Sequence, residues 1–92
     1  MMHRKLGTFT SDFAKLAKEI QVAAVEAFKL FETNPSHPSL QIEKLPGTGG
    51  IWSGRVTKHY RWTFHYETDK VTGARVCVHR RIGTHDAVYE SP

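Results

Sequence analysis

From Trp52 onward this chain concentrates the residue types that hold phosphate and move protons. Arg55, Lys58, Arg61, Lys70, Arg75, Arg80 and Arg81 face only Glu67, Asp69, Asp86 and Glu90 in that stretch. Four of the six histidines, His59, His65, His79 and His85, lie there too. Guanidinium forks bind phosphate oxygens in pairs, and imidazoles exchange protons near neutral pH. A positive surface also attracts acidic proteins, and an ordinary solvated surface is an equally simple source of the +4 net charge.

Two other chemistries are weighed and set aside. His59, His65, His79 and His85 have spacings that neighbouring strands would allow for a metal. No carboxylate lies among them and the cationic setting opposes a metal ion, so no metal site is expected. The run Gly47-Thr48-Gly49-Gly50 invites comparison with a phosphate loop. It lacks the following Lys-Ser/Thr and any helix to receive it, so a flexible connection is expected there. No cofactor is expected.

The elements that must position these groups follow from periodicity. Residues 2–9 read weakly as an opening strand, and Thr10, Ser11 and Asp12 offer helix N-cap chemistry. Phe13, Leu16, Ala17, Ile20, Ala24, Ala27, Phe28 and Phe31 then trace one helical face. A single rod of that length is long for so small a domain, so a break near Lys18-Glu19 and a helical hairpin are expected. Asn34-Pro35 ends the helical pattern, and Pro35 to Gly50 is a loop tied to the core by Leu40, Ile42 and Leu45. From Ile51 the period becomes two. Strands are expected over Ile51–Thr57, Tyr60–Glu67 and Ala74–Ile82, with Asp69-Lys70-Val71-Thr72-Gly73 as a hairpin loop. Helices followed by strands give an α+β domain, a helical hairpin packed on a small antiparallel sheet of about four strands.

Alternation divides that sheet into two faces. Tyr60, Trp62, Phe64 and Tyr66, with Val76, Val78 and Ile82, are assigned to the side that meets the helices. Ser53, Arg55, Arg61, Thr63, His65, Arg75, Cys77, His79 and Arg81 then share the other side, with no acid before Glu67. This face admits four readings: a solvated surface, a dock for an acidic protein, a phosphate groove, or the metal site already set aside.

The 92 residues make one domain, 1–92, because so short a chain cannot divide its apolar residues between two cores. Apolar residues are 39% of the chain, enough for one core, so disorder is not expected for most of its length. Cys77 is alone, leaving no partner for a disulfide or a cysteine zinc site. No apolar run follows Met-Met-His-Arg-Lys and none is long enough to span a bilayer, so a soluble cytoplasmic protein without a membrane partner is expected.

Five segments, in order, resemble the RelE/ParE toxin superfamily. They are Asn34-Pro35-Ser36-His37-Pro38-Ser39-Leu40, Lys44-Leu45, Ile51-Trp52-Ser53-Gly54-Arg55-Val56, Tyr60-Arg61 and Ile82-Gly83-Thr84-His85-Asp86. The resemblance covers almost the whole chain. It implies the toxin of a type II toxin-antitoxin system, partnered by an acidic antitoxin and acting on messenger RNA, often on the ribosome, without a metal. A ParE-like inhibitor of DNA gyrase is the alternative, and a non-catalytic interaction module or decayed toxin is a third.

By the same resemblance His85 is the general acid and Arg61 holds the scissile phosphate. Arg55, Arg81 and His79 lie on the phosphate-binding face, and Arg55 has bracing the fold as its other reading. Tyr89 sits near the reacting nucleotide or makes a simple core contact; His85 has capping of the last strand as its structural alternative. Lys58 and His59 precede Tyr60 in a short turn, where neutral His59 is the more natural base and Lys58 a phosphate grip. The chain stops at Pro92, so the C-terminal helix that covers the site in some members is expected to be missing.

Overall fold

The computed structural model describes residues 1–92. The chain runs through β1 (Met2–Lys5), α1 (Gly7–Ala14), α2 (Lys18–Thr33), a 3-10 turn (Pro38–Leu40), β2 (Glu43–Lys44), β3 (Trp52–Arg55), β4 (Tyr60–Thr68), β5 (Arg75–Thr84) and α3 (His85–Glu90). The strands form one five-stranded sheet in the order β1-β5-β4-β3-β2. β1 pairs with β5 in parallel and the other pairings are antiparallel. The α+β class stands, but the sheet is mixed rather than purely antiparallel and has five strands where about four were expected. β1 joins it as an edge, and two-residue β2 lies inside the expected loop.

The helical hairpin breaks at Lys15–Ala17, slightly before the expected Lys18-Glu19. At the end of α1 the Phe13 carbonyl accepts from the Leu16 N–H at 3.1 Å and from Gln21 Nε2 at 2.9 Å, which ties the start of α2 to it. Glu19 sits in the first turn of α2, where a negative charge complements the helix dipole. Thr10-Ser11-Asp12 does not cap a helix. α1 begins earlier, at Gly7, with Leu6 as an N-cap that makes no side-chain bond.

Those residues are drawn instead to an exposed ladder edge. β1 covers β5 only from Val76 to His79, which leaves the next backbone groups of β5 needing partners. Thr8 Oγ1 donates to the Arg80 carbonyl at 2.7 Å. The Ile82 N–H donates to Asp12 Oδ2 at 3.2 Å. α1 therefore extends the edge that β1 leaves unfinished.

Phe9, Ala24, Ala27, Phe31, Leu40, Trp62, Phe64, Cys77 and Ile82 form the core between the helices and one face of the sheet. Phe31 meets the Trp62 ring edge-on at 5.5 Å, a geometry worth about 0.5–1.5 kcal/mol beyond area burial. Trp62 fits because its strand neighbour is Gly54. A Cβ at Gly54 would overlap the indole ring.

The face assignment of β5 changes halfway along. Thr63 pairs with Arg81 and Phe64 with His79, so Arg80 is an extra residue, a β-bulge. Below the bulge the alternation is reversed from that expected. His79 and Cys77 lie opposite Phe64 and Tyr66 and face the helices, while Val76 and Val78 lie opposite Glu67 and His65 on the other face. The hairpin beyond is as expected. Asp69 Oδ1 accepts from the Val71 and Thr72 N–H groups at 2.8 and 3.0 Å, and Gly73 takes φ +73°. No helix is long and apolar enough to cross a membrane.

Candidate functional site

The face of the sheet away from α1 and α2 is not open along its length. A short helix, α3, follows β5 directly, against the expectation that no C-terminal helix would be present. Thr84 caps it, its Oγ1 accepting from the Ala87 N–H at 3.4 Å, and Asp86 lies in its first turn. Val88 is buried and fastens α3 to the sheet. The tail continues across the face, where the Pro92 carbonyl accepts from Thr63 Oγ1 at 3.0 Å and Arg80 Nε at 3.3 Å.

One end of this face gathers most of the residues singled out from sequence. The β4–β5 ladder reaches Tyr60 opposite Thr84. One step further the His85 N–H donates to the His59 carbonyl at 2.9 Å. Two histidines far apart in sequence are thus joined through their backbones, where the turn after β3 meets the start of α3. Both are exposed. Lys58 is exposed in the same turn, and Arg55 pairs with Arg61 across β3 and β4.

Arg61 has a divided job. Its Nη1 donates to the carbonyls of Thr57, Lys58 and Tyr60 at 2.7, 3.2 and 3.0 Å, which ties the turn together. Nε and Nη2 make no such bond and stay available to an anion.

α3 supplies the remaining parts. His85 and Tyr89 are one helical turn apart, so their rings meet, with centroids 4.1 Å apart. The Tyr89 hydroxyl lies 3.0 Å from Ser53 Oγ and donates to Glu43 Oε1 at 2.9 Å. Sequence reasoning missed Glu43, because a two-residue strand is too short to show a period. It did not foresee Ser53 as a partner of Tyr89 either, since that contact needs α3. The signal for α3 was present: Thr84 as N-cap with Asp86 two residues on.

Three expected members are elsewhere. His79 is buried against the helices, 6% exposed, and burial, then His3 and Lys5, push its pKa down to about 4. It cannot contact a ligand on the other face, and the bulge is the reason. Cys77 shares that side, and burial pushes its thiol up to about 12. Arg81 is held at the margin, its Nε and Nη2 donating to Asp12 at 2.6 and 3.2 Å. That pairing raises the guanidinium's pKa, and it spends the fork that was expected to hold phosphate.

The other charged side chains of this face form a separate group at the far end of the sheet. His65 lies 2.8 Å from Glu67 and 2.9 Å from Arg80. Glu67 also accepts from Arg4 at 2.8 Å, and the bond from His65 is the main cause of its lowered pKa. Arg75 is not part of this group: it lies opposite Thr68, on the same side as Cys77 and Tyr66, and stacks over the Tyr66 ring at 3.9 Å. Since His65 and His79 lie apart from His59 and His85, the four histidines do not form one metal site.

No family model and no curated protein matches this chain. Solved structures do. A YoeB/ParE toxin from Agrobacterium tumefaciens superimposes with a TM-score of 0.71 at 15% identity, covering 92% of this chain and 99% of that one. YafQ from E. coli strain BL21(DE3) gives 0.71 at 20% identity, covering 95% and 96%. The RelB-RelE antitoxin-toxin complex from Methanococcus jannaschii gives 0.69 at 18% identity, covering 97% and 99%. The shared feature is the fold, that of the RelE/ParE toxins, over nearly the whole of both chains.

Proposed function

We propose that this chain, which has the RelE/ParE toxin fold, is the toxin of a type II toxin-antitoxin pair and cleaves messenger RNA by metal-independent transesterification. The observation that carries the reading is the backbone bond between His59 and His85 beside the Arg55–Arg61 pair. It brings two proton-transfer groups and two cations to one exposed end of the sheet.

In this reaction a base removes the proton of a ribose 2′-OH, whose oxygen forms a bond to the adjacent phosphorus. The bond from phosphorus to the 5′-oxygen breaks, an acid protonates that oxygen, and a 2′,3′-cyclic phosphate remains. His59, when neutral, serves as the base and His85, when protonated, as the acid. Arg61 uses Nε and Nη2 on the phosphate while Nη1 stays on the turn, and Arg55 and Lys58 add positive charge where negative charge develops. Tyr89, fixed by Ser53 and Glu43, holds the His85 ring from below. One imidazole must be neutral while the other is charged, so the rate should follow a bell-shaped pH profile.

The partner is an acidic antitoxin, complementary to the +4 chain. The similar RelE structure is itself a complex with an antitoxin. The target is messenger RNA, on the ribosome, where bound RNA geometry supplies alignment that so open a site does not.

The test is to induce the protein alone and map 5′ ends across cellular transcripts, beside a His85→Gln variant. His85 is exposed and its ring makes no core contact, so the variant should fold. New transcript ends should appear with the parent and fall roughly a hundredfold or more with His85→Gln. Cleavage and growth arrest as strong in His85→Gln as in the parent would overturn the reading. So would filamentation with a DNA-damage response and intact transcripts.

A further inference from the structure

The reversal of β5 below the bulge turns Cys77 and His79 toward the helices, and the parallel pairing of β1 sets His3 beside Cys77. The side-chain ligand atoms of His3, Cys77 and His79 all lie within 4.8 Å of one another. His3 Nδ1 is 2.9 Å from His79 Nε2, and the two rings stack at 5.2 Å. The other nitrogen of His79, Nδ1, is buried with no hydrogen-bond partner. With Nε2 as a metal ligand, Nδ1 would carry the ring proton.

We propose that His3, Cys77 and His79 form a binding site for one borderline transition-metal ion of the zinc class, with a fourth position open to the adjoining cavity. The sequence reading expected no metal because it weighed only His59, His65, His79 and His85, in a cationic setting without a carboxylate, and did not set His3 beside Cys77. A thiolate and two imidazoles are the donor set that such ions prefer and that magnesium or calcium does not. Two imidazole nitrogens on a tetrahedral zinc, each at roughly 2.0–2.1 Å, stand about 3.3 Å apart. The observed 2.9 Å needs only a slight opening.

Access is provided by a cavity of about 250 Å³ between β1 and α2, lined by His3, His79, Lys5, Glu32 and three phenylalanines. A water, or Glu32 at its rim, would fill the fourth position. Glu32 would also offset the nearby positive charge of Lys5. Burial keeps the His79 ring neutral, the form that ligates. Binding must displace the Cys77 thiol proton to solvent, as metal binding to thiols does. Because His3 is on β1 and the other two are on β5, the ion would staple the first strand to the sheet. The site lies on the helix side and is distinct from the His59–His85 end.

The experiment uses the full chain, stripped with a chelator and titrated with Co(II) as a spectroscopic stand-in, then with Zn(II). Expected are a thiolate-to-cobalt charge-transfer band, tetrahedral d–d absorption, one ion per chain, and displacement by Zn(II). Zn(II) should also raise the Tm of the parent. Exposed His3→Gln keeps a polar side chain beside His79 and should lose affinity by at least about tenfold, as even outer-shell losses can cost that much. It should lose the Tm rise as well. Cys77→Ala should abolish the charge-transfer band; if it does not fold, His3→Gln still decides. The proposal is overturned if the parent shows no thiolate band or if His3→Gln binds as tightly. Binding that needs His3 but survives Cys77→Ala would also overturn it, because His3 with the N-terminal amine would then account for it.

Discussion

Removing the Asp12 carboxylate should cost this small domain more stability than any other single surface-margin change. Asp12 accepts three hydrogen bonds, two from Arg81 and one from the Ile82 N–H, and its side chain is only 16% exposed. Ile82 is buried, so Asp12→Ala strands its N–H at a point where β1 no longer covers β5. An unsatisfied buried donor costs about 1–3 kcal/mol. The ion pair adds less than a fully buried one, because the Arg81 side chain is 35% exposed. Between surface pairs and buried pairs, about 1 kcal/mol is a fair share.

The expected total for Asp12→Ala is therefore about 3 kcal/mol, a Tm fall of roughly ten degrees or more. Asp12→Asn keeps an acceptor for Ile82 and should lose only about a third of that. Urea unfolding of the two variants and of Arg81→Met separates the contributions, and the double variant should cost less than the sum of the singles. A loss below about 0.5 kcal/mol for Asp12→Ala, the range of an ordinary surface change, would refute the clamp. Arg81→Met with unchanged stability but failed RNA cleavage would return Arg81 to the phosphate-binding residues.

Gly54→Ala should be among the most damaging substitutions, because the new methyl overlaps the Trp62 ring at the centre of the core. A loss of about 1–3 kcal/mol or failure to express soluble protein is expected, and native-like thermal unfolding would count against this packing. Tyr89→Phe keeps the ring against His85 but loses the Ser53 and Glu43 contacts. Cleavage should fall with little change in Tm, and an unchanged rate would leave the hydroxyl without a role. Asp69 holds its carboxyl below the usual range through the Thr72 and Val71 N–H groups. The folded pKa is depressed, so its contribution is present above the ordinary carboxylate pKa and lost as pH falls through the folded value. The Tm gap between parent and Asp69→Ala should accordingly close in acid, and a gap that widens would contradict the assignment.

The parts legible in the sequence are those set by local rules. α2 follows from the spacing of Ala24, Ala27 and Phe31, and the β4–β5 hairpin from Asp69 and Gly73. Arg61 and His85 were singled out by the resemblance and His59 by its place in the turn before Tyr60, and the β4–β5 ladder brings the three to one end of the sheet. His79 and Cys77 were misplaced for a different reason. Val76-Cys77-Val78-His79 alternates equally well in either parity, and only the partner strand decides which side is inward. Asp12 misled because its local use as a cap and its long-range use as a clamp call for the same residue. β1 was legible as a strand but not as a parallel neighbour, since nothing local sets its direction.

Both ends of this molecule depend on Arg80 staying out of the β4–β5 ladder. As the bulge it lets β5 present His79 and Cys77 to the helices and then Arg81 and Gly83 to the opposite face. Were Arg80 paired instead of bulged, a continuous ladder that kept Thr63 opposite Arg81 would turn Cys77 and His79 outward and bring Val76 and Val78 in, the arrangement that simple alternation suggests. The His3–Cys77–His79 cluster would then be dispersed. A ladder that kept Phe64 opposite His79 would instead slide the upper half of β5 by one residue. The His85 N–H would no longer meet the His59 carbonyl, and Ile82 would leave Trp62. One unpaired residue thus links the ligand cluster on one side of the sheet to the histidine pair on the other. Deleting Arg80 would make Arg81 and His79 consecutive rungs opposite Thr63 and Phe64, so Co(II) binding and transcript cleavage should both survive the deletion. They should also survive Arg80→Ala, which removes only the bonds to His65 and Pro92. Loss of either on deletion would refute this register.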